Sequence, residues 1–235
     1  MTLKEIMSEL KSLGNENTKR VLLKHGVKEP FFGVKVEDLK TIQKKIKTDY
    51  TLSNELYFTN NADAMYLAGL IADDEKMTKK DLQAWVKLAV SDNISGYTVP
   101  WVAAGSKHGF ELAMEWINAK EEHIAAAGWS TLSGLVTIKP DSELDLGILK
   151  SLVDRVVKTI HTSKNRERKT MNGFIIAAGT YVQDLTKYAV AAAVKIGAVS
   201  IDNNGTACKT PDAAEYIKKA TGKKLPGSKK KTLKC

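Results

Sequence analysis

The sequence predicts an all-α chain made of short helices that stack in pairs. Apolar residues recur at helical spacing nearly throughout, and no stretch alternates apolar and polar residues with period two. No Asn-Gly pair sits between strand-like runs. Leu3, Ile6, Met7, Leu10 and Leu13 mark one face of a first helix, closed by Gly14. Val21, Leu22 and His25 continue in a second that ends at Gly26, and Pro30 with Phe31, Phe32 and Gly33 forms a connector. Leu39, Ile42 and Ile46 define a third helix, and Met65, Leu67, Leu70 and Ile71 lie in another. Thr78 is placed to cap a helix carrying Leu82, Trp85, Val86 and Ala89. Further helices are expected near 107–118, 121–136, 144–161, 165–181 and 184–199, and the turn in 202–209 leads into one more.

Helix pairs follow one another about every 40 residues, the period of HEAT-type repeats. A pair of short helices cannot bury its apolar stripe alone, so neighbouring pairs must stack. The expected architecture is a HEAT-like helical-repeat solenoid with a concave basic groove, suited to an extended ligand. A compact irregular bundle is the alternative. The expected division is a helical domain over residues 1–217 and a flexible Lys-rich tail over 218–235.

The 235 residues are 43% apolar and 27% charged, which supports an ordinary core and excludes a disordered, collagen-like or disulfide-stapled chain. The longest span without Asp, Glu, Lys or Arg is 16 residues, 123–138, too short and too polar to predict a membrane helix. No secretory apolar stretch opens the sequence, and two cysteines fit a reducing compartment, so a cytoplasmic protein is expected. The formal charge is +9, yet eight lysines lie between Lys218 and Cys235, which leaves residues 1–217 almost neutral. Within them the signs segregate. Residues 19–47 hold nine cations against three acids, a second basic cluster runs from Arg155 to Lys169, and residues 111–145 carry seven acids against two lysines. Such segregation suits a polyanion; solvation of Lys-rich helices is the plainer alternative.

Chemistry-bearing motifs are few. His108, Glu111 and Glu115 share a helical face without a second histidine or a paired-cysteine motif, so a polar face is expected and no metal. Cys208 beside Lys209 is expected to be a small buried thiol rather than a nucleophile. No phosphate-binding glycine motif is present, and no nucleotide cofactor is expected. The segment from His161 to Tyr181 is the most informative. Asn165 or Ser163 can cap a helix whose first turns hold Arg166, Arg168 and Lys169, with Lys164 just before them. Free N–H groups and these cations together make a phosphate clamp. Phe174, two turns on, either reaches toward bases and sugars or packs in the core.

The stretches GVKEPFFGVKVEDLKTIQKKIK, DAMYLAGLIAD, AAAGWSTLSGLV and TMNGFIIAAGTYV resemble the DNA alkylation repair family, HEAT-like-repeat relatives of bacterial alkylpurine DNA glycosylases, over about residues 15–200. The resemblance implies binding of double-stranded DNA in the concave groove. In active members it implies release of N3- or N7-alkylated purines without pulling the base into a pocket. Those members carry a Trp and, four residues later, an Asp in the segment matching 91–99. Here Ser95 or Asp92 stands for the Trp, and Val99 or Gly96 for the Asp. A further arginine of those members falls in the run Ala125–Ala127. A second groove Trp matches Phe174, and Asp92, Tyr97, Trp101 and Trp129 are candidates to substitute in space. The resemblance therefore implies Phe174 and Asp92 as catalytic candidates. The DNA-binding set is Lys164, Arg166, Arg168, Lys169, Trp129 and Tyr97, in a monomer without cofactor. Binding of distorted or branched DNA without catalysis, or of an acidic protein partner, are the competing expectations.

Overall fold

The computed structural model describes residues 1–222 and 227–234, and among them there are helices and connectors but no strand. The chain divides into two units, one formed by Met1–His108 with Asn204–Thr206 and Lys234, the other by the rest of the described residues.

The first unit opens with α1 (Leu3–Leu13), held at its start by a reciprocal Thr2–Glu5 capping box, and α2 (Glu16–Lys24), capped by Asn15. α3 (Val36–Ile46), α4 (Tyr50–Tyr57) and α5 (Ala62–Ile71) follow, and α3, α4 and α1 pack around α5, whose ten residues are all buried. α4 has no apolar stripe of useful length and escapes the periodicity reading; Asp49 caps it and Tyr57 anchors it. The Tyr57 ring stacks on Trp85 at 3.9 Å, and its hydroxyl donates to the Trp85 carbonyl at 2.7 Å. α6 (Lys79–Leu88) begins with the expected Thr78 cap, in a capping box with Asp81. A π-helical turn, Ile94–Thr98, then runs directly into α7 (Val99–Gly105).

The connector 30–34 is shaped from α5. The Asp63 carboxylate accepts three successive backbone N–H groups, from Phe32 at 2.6 Å, Gly33 at 3.0 Å and Val34 at 3.3 Å. Gly33 has φ +81°, where a side chain would be strained, and a Cβ there would also strike the α2 backbone. Burial pushes the Asp63 pKa up, while the three amide donors pull it back.

The second unit comprises α8 (Gly109–Trp116), α9 (Glu122–Ile138), α10 (Leu146–Thr159), α11 (Asn165–Tyr181), α12 (Thr186–Ile196) and α13 (Ala213–Thr221). α9 and α11 pack against each other along much of their length, with α8 on α9, and with α12 and α13 on α11. Small residues set these approaches. A Cβ on Gly128 would lie 2.7 Å from the Ile117 nitrogen, so α8 and α9 meet backbone to backbone there.

The expected boundary after residue 217 falls inside α13. The described part of the expected flexible tail is hydrogen-bonded rather than loose. In the second unit, the Lys230 N–H donates to the Thr137 carbonyl at 2.9 Å, and the Lys229 ammonium meets Asp141 at 2.6 Å. In the first unit, the Lys234 ammonium donates to Asp74 at 2.7 Å and to the Ala72 carbonyl at 2.8 Å. Carboxylates and helix-end carbonyls hold these ammonium groups, an attraction that composition does not display. Residues 223–226 and 235 of that tail lie outside the described residues.

Candidate nucleic-acid interface

The start of α11 in the second unit is not the bare clamp that its sequence implies. Lys164 is the N-cap residue and makes no side-chain cap. Asn165 instead pairs with the Asp202 backbone in both directions, at 2.8 and 2.9 Å, and the Ser163 hydroxyl donates to the Thr159 carbonyl at 3.0 Å. The first-turn N–H of Arg166 donates to Glu122 Oε1 at 2.7 Å, so a carboxylate from the start of α9 occupies one of the donors a phosphate would use. Burial raises the pKa of neighbouring Glu167, with Glu122 adding to the rise and Lys164 and Arg155 opposing it. The Lys164 ammonium is bound to the Lys120 carbonyl. Arg166 and Arg168 are half-buried, and Lys169 is exposed. The cations stand where expected, but a resident anion is among them.

Trp129 and Phe174 are both fully buried, which takes Trp129 from its expected place in a groove and gives Phe174 the second of its two expected places, the core. Their ring centroids lie 5.5 Å apart, inside the α9–α11 contact, and the Arg155 guanidinium covers the Trp129 ring at 5.5 Å. Arg155 also donates to Asn118 Oδ1 at 2.8 Å and to the Ile117 carbonyl at 2.7 Å. Apolar helical spacing marks core here, and both rings are closed off from solvent. Cys208, expected to be buried, is exposed.

In the first unit, Asp92 is half-buried and faces the turn after α2. Its N–H donates to the Gly26 carbonyl at 3.2 Å, and a Cβ on Gly26 would lie 2.5 Å from its carboxyl carbon. With Gly26 at φ +78°, only glycine suits that turn. Asp92 thus sits against that turn. Ser95 and Val99 are buried, the Ser95 hydroxyl donating to the Ser91 carbonyl at 3.2 Å, and position 96 is glycine. In one register neither matched position is acidic. In the other, the only acid is Asp92, at the position of the Trp. Tyr97, between them, is 52% exposed. Its ring lies 6.0 Å from that of Trp101, which in turn meets Tyr66 edge-on at 5.4 Å.

The basic stretch 19–47 separates into paired and unpaired cations. Lys19 is bound to Glu29 at 2.9 Å, Lys35 to Glu37 at 3.5 Å and Lys45 to Glu9 at 2.8 Å. Lys40, Lys44 and Lys47 follow the i, i+4, i+7 rhythm along one edge of α3 and its C-cap, and among the described residues they carry no ion pair. Sequence reading pooled these nine cations; spacing alone picks out the three-lysine edge. Among the described residues no group of three or more His, Cys, Asp or Glu could hold a metal ion, and no helix is long and apolar enough to cross a membrane.

The chain is similar to two bacterial proteins and to a solved structure. Over 226 residues it is 32% identical to an uncharacterised protein of Listeria innocua and 33% identical to one of Listeria monocytogenes, covering 94% of this chain and 97% of each relative. A solved structure superposes with a TM-score of 0.91 at 33% identity over the whole of both chains. It is described as representing a new family of proteins related to the HEAT-like repeat DNA glycosylases, with affinity for branched DNA structures. The model of the DNA alkylation repair enzyme family matches residues 6–217. With its all-helical, HEAT-like repeat fold and this match over nearly its whole length, the chain belongs to the DNA alkylation repair enzyme family.

Proposed function

We propose that the protein binds the phosphate backbone of branched DNA and does not excise alkylated bases. The observation that carries this reading is the catalytic segment itself. Ser95 and Val99 are buried, Gly96 has no side chain, and Asp92 is turned to a glycine loop. Breaking the glycosidic bond of an alkylpurine leaves an oxocarbenium sugar, and a facing carboxylate is the group that stabilises it. Preorganised electrostatic stabilisation of that kind contributes about 3 kcal/mol, a hundredfold or more in rate. The aromatic that would face a sugar, Phe174, is in the core. Binding needs less. Unpaired lysines on α3, exposed Lys169 and the aromatic patch at Tyr97 offer phosphate and base contacts without chemistry. The affinity for branched DNA described for the similar structure supports the choice of ligand.

The test compares a four-way junction with a linear duplex of the same length by fluorescence anisotropy, and measures single-turnover release of N7-methylguanine from duplex DNA. Tighter junction binding, with affinity falling about a thousandfold or more between low and moderate salt for six phosphate contacts, is expected. Release at the rate of free DNA is expected beside it. Rapid base release would overturn the non-catalytic reading, and equal affinity for the two DNAs would overturn the branched-DNA reading.

A further inference from the structure

We infer that Tyr97, held on the π-helical turn and braced by Trp101 and Tyr66, is a stacking platform for an unstacked nucleobase at a DNA branch point. The inference rests on the proposed DNA-binding function and names the part of the DNA that this surface takes.

Tyr97 is a large aromatic side chain left 52% exposed, but its ring is not loose. It contacts Trp101 at 6.0 Å with the planes tilted by 43°, and Trp101 is wedged against the buried Tyr66 ring. Three rings in series fix one open aromatic face. The backbone beneath is unusual as well. A π-helical turn is a rare insertion in helical structure, often found at functional sites. At its ends the buried Asn93 Oδ1 and Thr98 Oγ1 have no hydrogen-bond partner among the described residues. α5 is cut away to admit it, since a Cβ on Gly69 would lie 2.5 Å from the Thr98 methyl group. Beside Tyr97 the surface is open: a Cβ on Gly96 would meet nothing within 4 Å. A flat ring therefore has room to approach.

Linear duplex keeps base faces stacked on one another, whereas a branch point leaves some of them without a neighbour. An exposed aromatic ring recovers that stacking whatever the base, and phosphate contacts elsewhere supply the affinity common to all DNA. Such division makes the aromatic patch the source of preference for branched forms.

The four tryptophans give a selective readout. Trp85, Trp116 and Trp129 are at most 2% exposed, and Trp101 alone is not buried, so acrylamide quenching reports mainly on Trp101. A junction carrying 2-aminopurine at the branch is titrated with the intact protein, Tyr97→Ala and Tyr97→Phe. Expected are loss of 2-aminopurine emission and protection of Trp101 with the intact protein and Tyr97→Phe. Tyr97→Ala should bind the junction about tenfold or more weakly, with a smaller loss on duplex, so that the junction-to-duplex ratio falls. If Tyr97→Ala keeps the junction-to-duplex ratio and the 2-aminopurine response, the inference is overturned while DNA binding stands. If the intact protein binds neither DNA, the proposed function falls and takes the inference with it. Tyr97 is exposed, so the substitution leaves the fold intact, and far-UV dichroism checks this.

Discussion

Replacing Asp74 with asparagine should stabilise the protein at neutral pH, although it breaks an ion pair. The carboxylate follows α5, flanked by Asp73 and Glu75, and receives the Lys234 ammonium at 2.7 Å. Gly105 presses on its other side, where a Cβ would collide with the carboxylate. Burial drives its pKa from 3.8 to about 6; Lys234 lowers it, while Asp73 and Glu75 raise it further. A shift of about two units corresponds to about 3 kcal/mol. Because the folded-state value is raised, the stabilisation is complete below the unfolded-state value of 3.8 and is lost as pH rises through about 6. Asparagine resembles the protonated acid and has no charge to bury. Asp74→Asn should therefore match the parent near pH 4 and exceed it by up to about 3 kcal/mol at pH 7. Lys234 keeps the Ala72 carbonyl at 2.8 Å and is long enough to reach water, so its ammonium is not stranded. Lys234→Met is the opposite perturbation, leaving the carboxylate unpaired and lowering stability at pH 7. Urea unfolding followed by dichroism at half-unit steps from pH 4 to 7.5 measures both. A variant less stable than the parent at pH 7, with the same dependence on pH, would refute the claim that desolvation outweighs pairing here.

Two other outcomes follow from the same structure. Converting Lys40, Lys44 and Lys47 to glutamine should lower the slope of log affinity against log salt by about 2 to 3 on any DNA, because each phosphate contact contributes about 0.9; an unchanged slope in a salt titration would remove the α3 edge from the interface. Phe174→Ala should cost about 3–5 kcal/mol in urea unfolding, since the ring is wholly buried against Trp129, and Phe174→Leu much less; a cost under 1 kcal/mol for the alanine would contradict its place in the core.

The helices were largely legible because a 3.6-residue stripe is a local signal: Leu3–Leu13 and Asn165–Tyr181 begin or end within a residue or two of where spacing places them. α4 and the π-helical turn were not, the first for want of a clear stripe and the second because one extra residue per turn leaves no periodic mark. The site was harder to read for a different reason. The cations of 164–169 are plain in the sequence, but the carboxylate that takes the Arg166 backbone N–H is Glu122, on another helix 44 residues earlier. Aromatic residues posed the reverse problem. Phe174 and Tyr97 are equally visible as letters, and only packing separates the buried ring from the exposed one. Asp63 and Asp74 attracted no notice, since a carboxylate next to an apolar run looks like an ordinary helix end until its partners are known.

The three amides that converge on Asp63 separate the shape of a loop from its spelling. Main-chain N–H groups are the same for every residue but proline, so the path of 32–34 is templated from α5 and asks little of the Phe32 and Val34 side chains at those contacts. Gly33, with its positive φ, is the exception, and Phe31, nearly buried next door, is held by packing instead. Variation should therefore be tolerated unevenly along this loop: freely at half-exposed Phe32, hardly at all at Gly33. A change at Asp63 would be felt first thirty residues upstream, in a segment it never touches in the sequence.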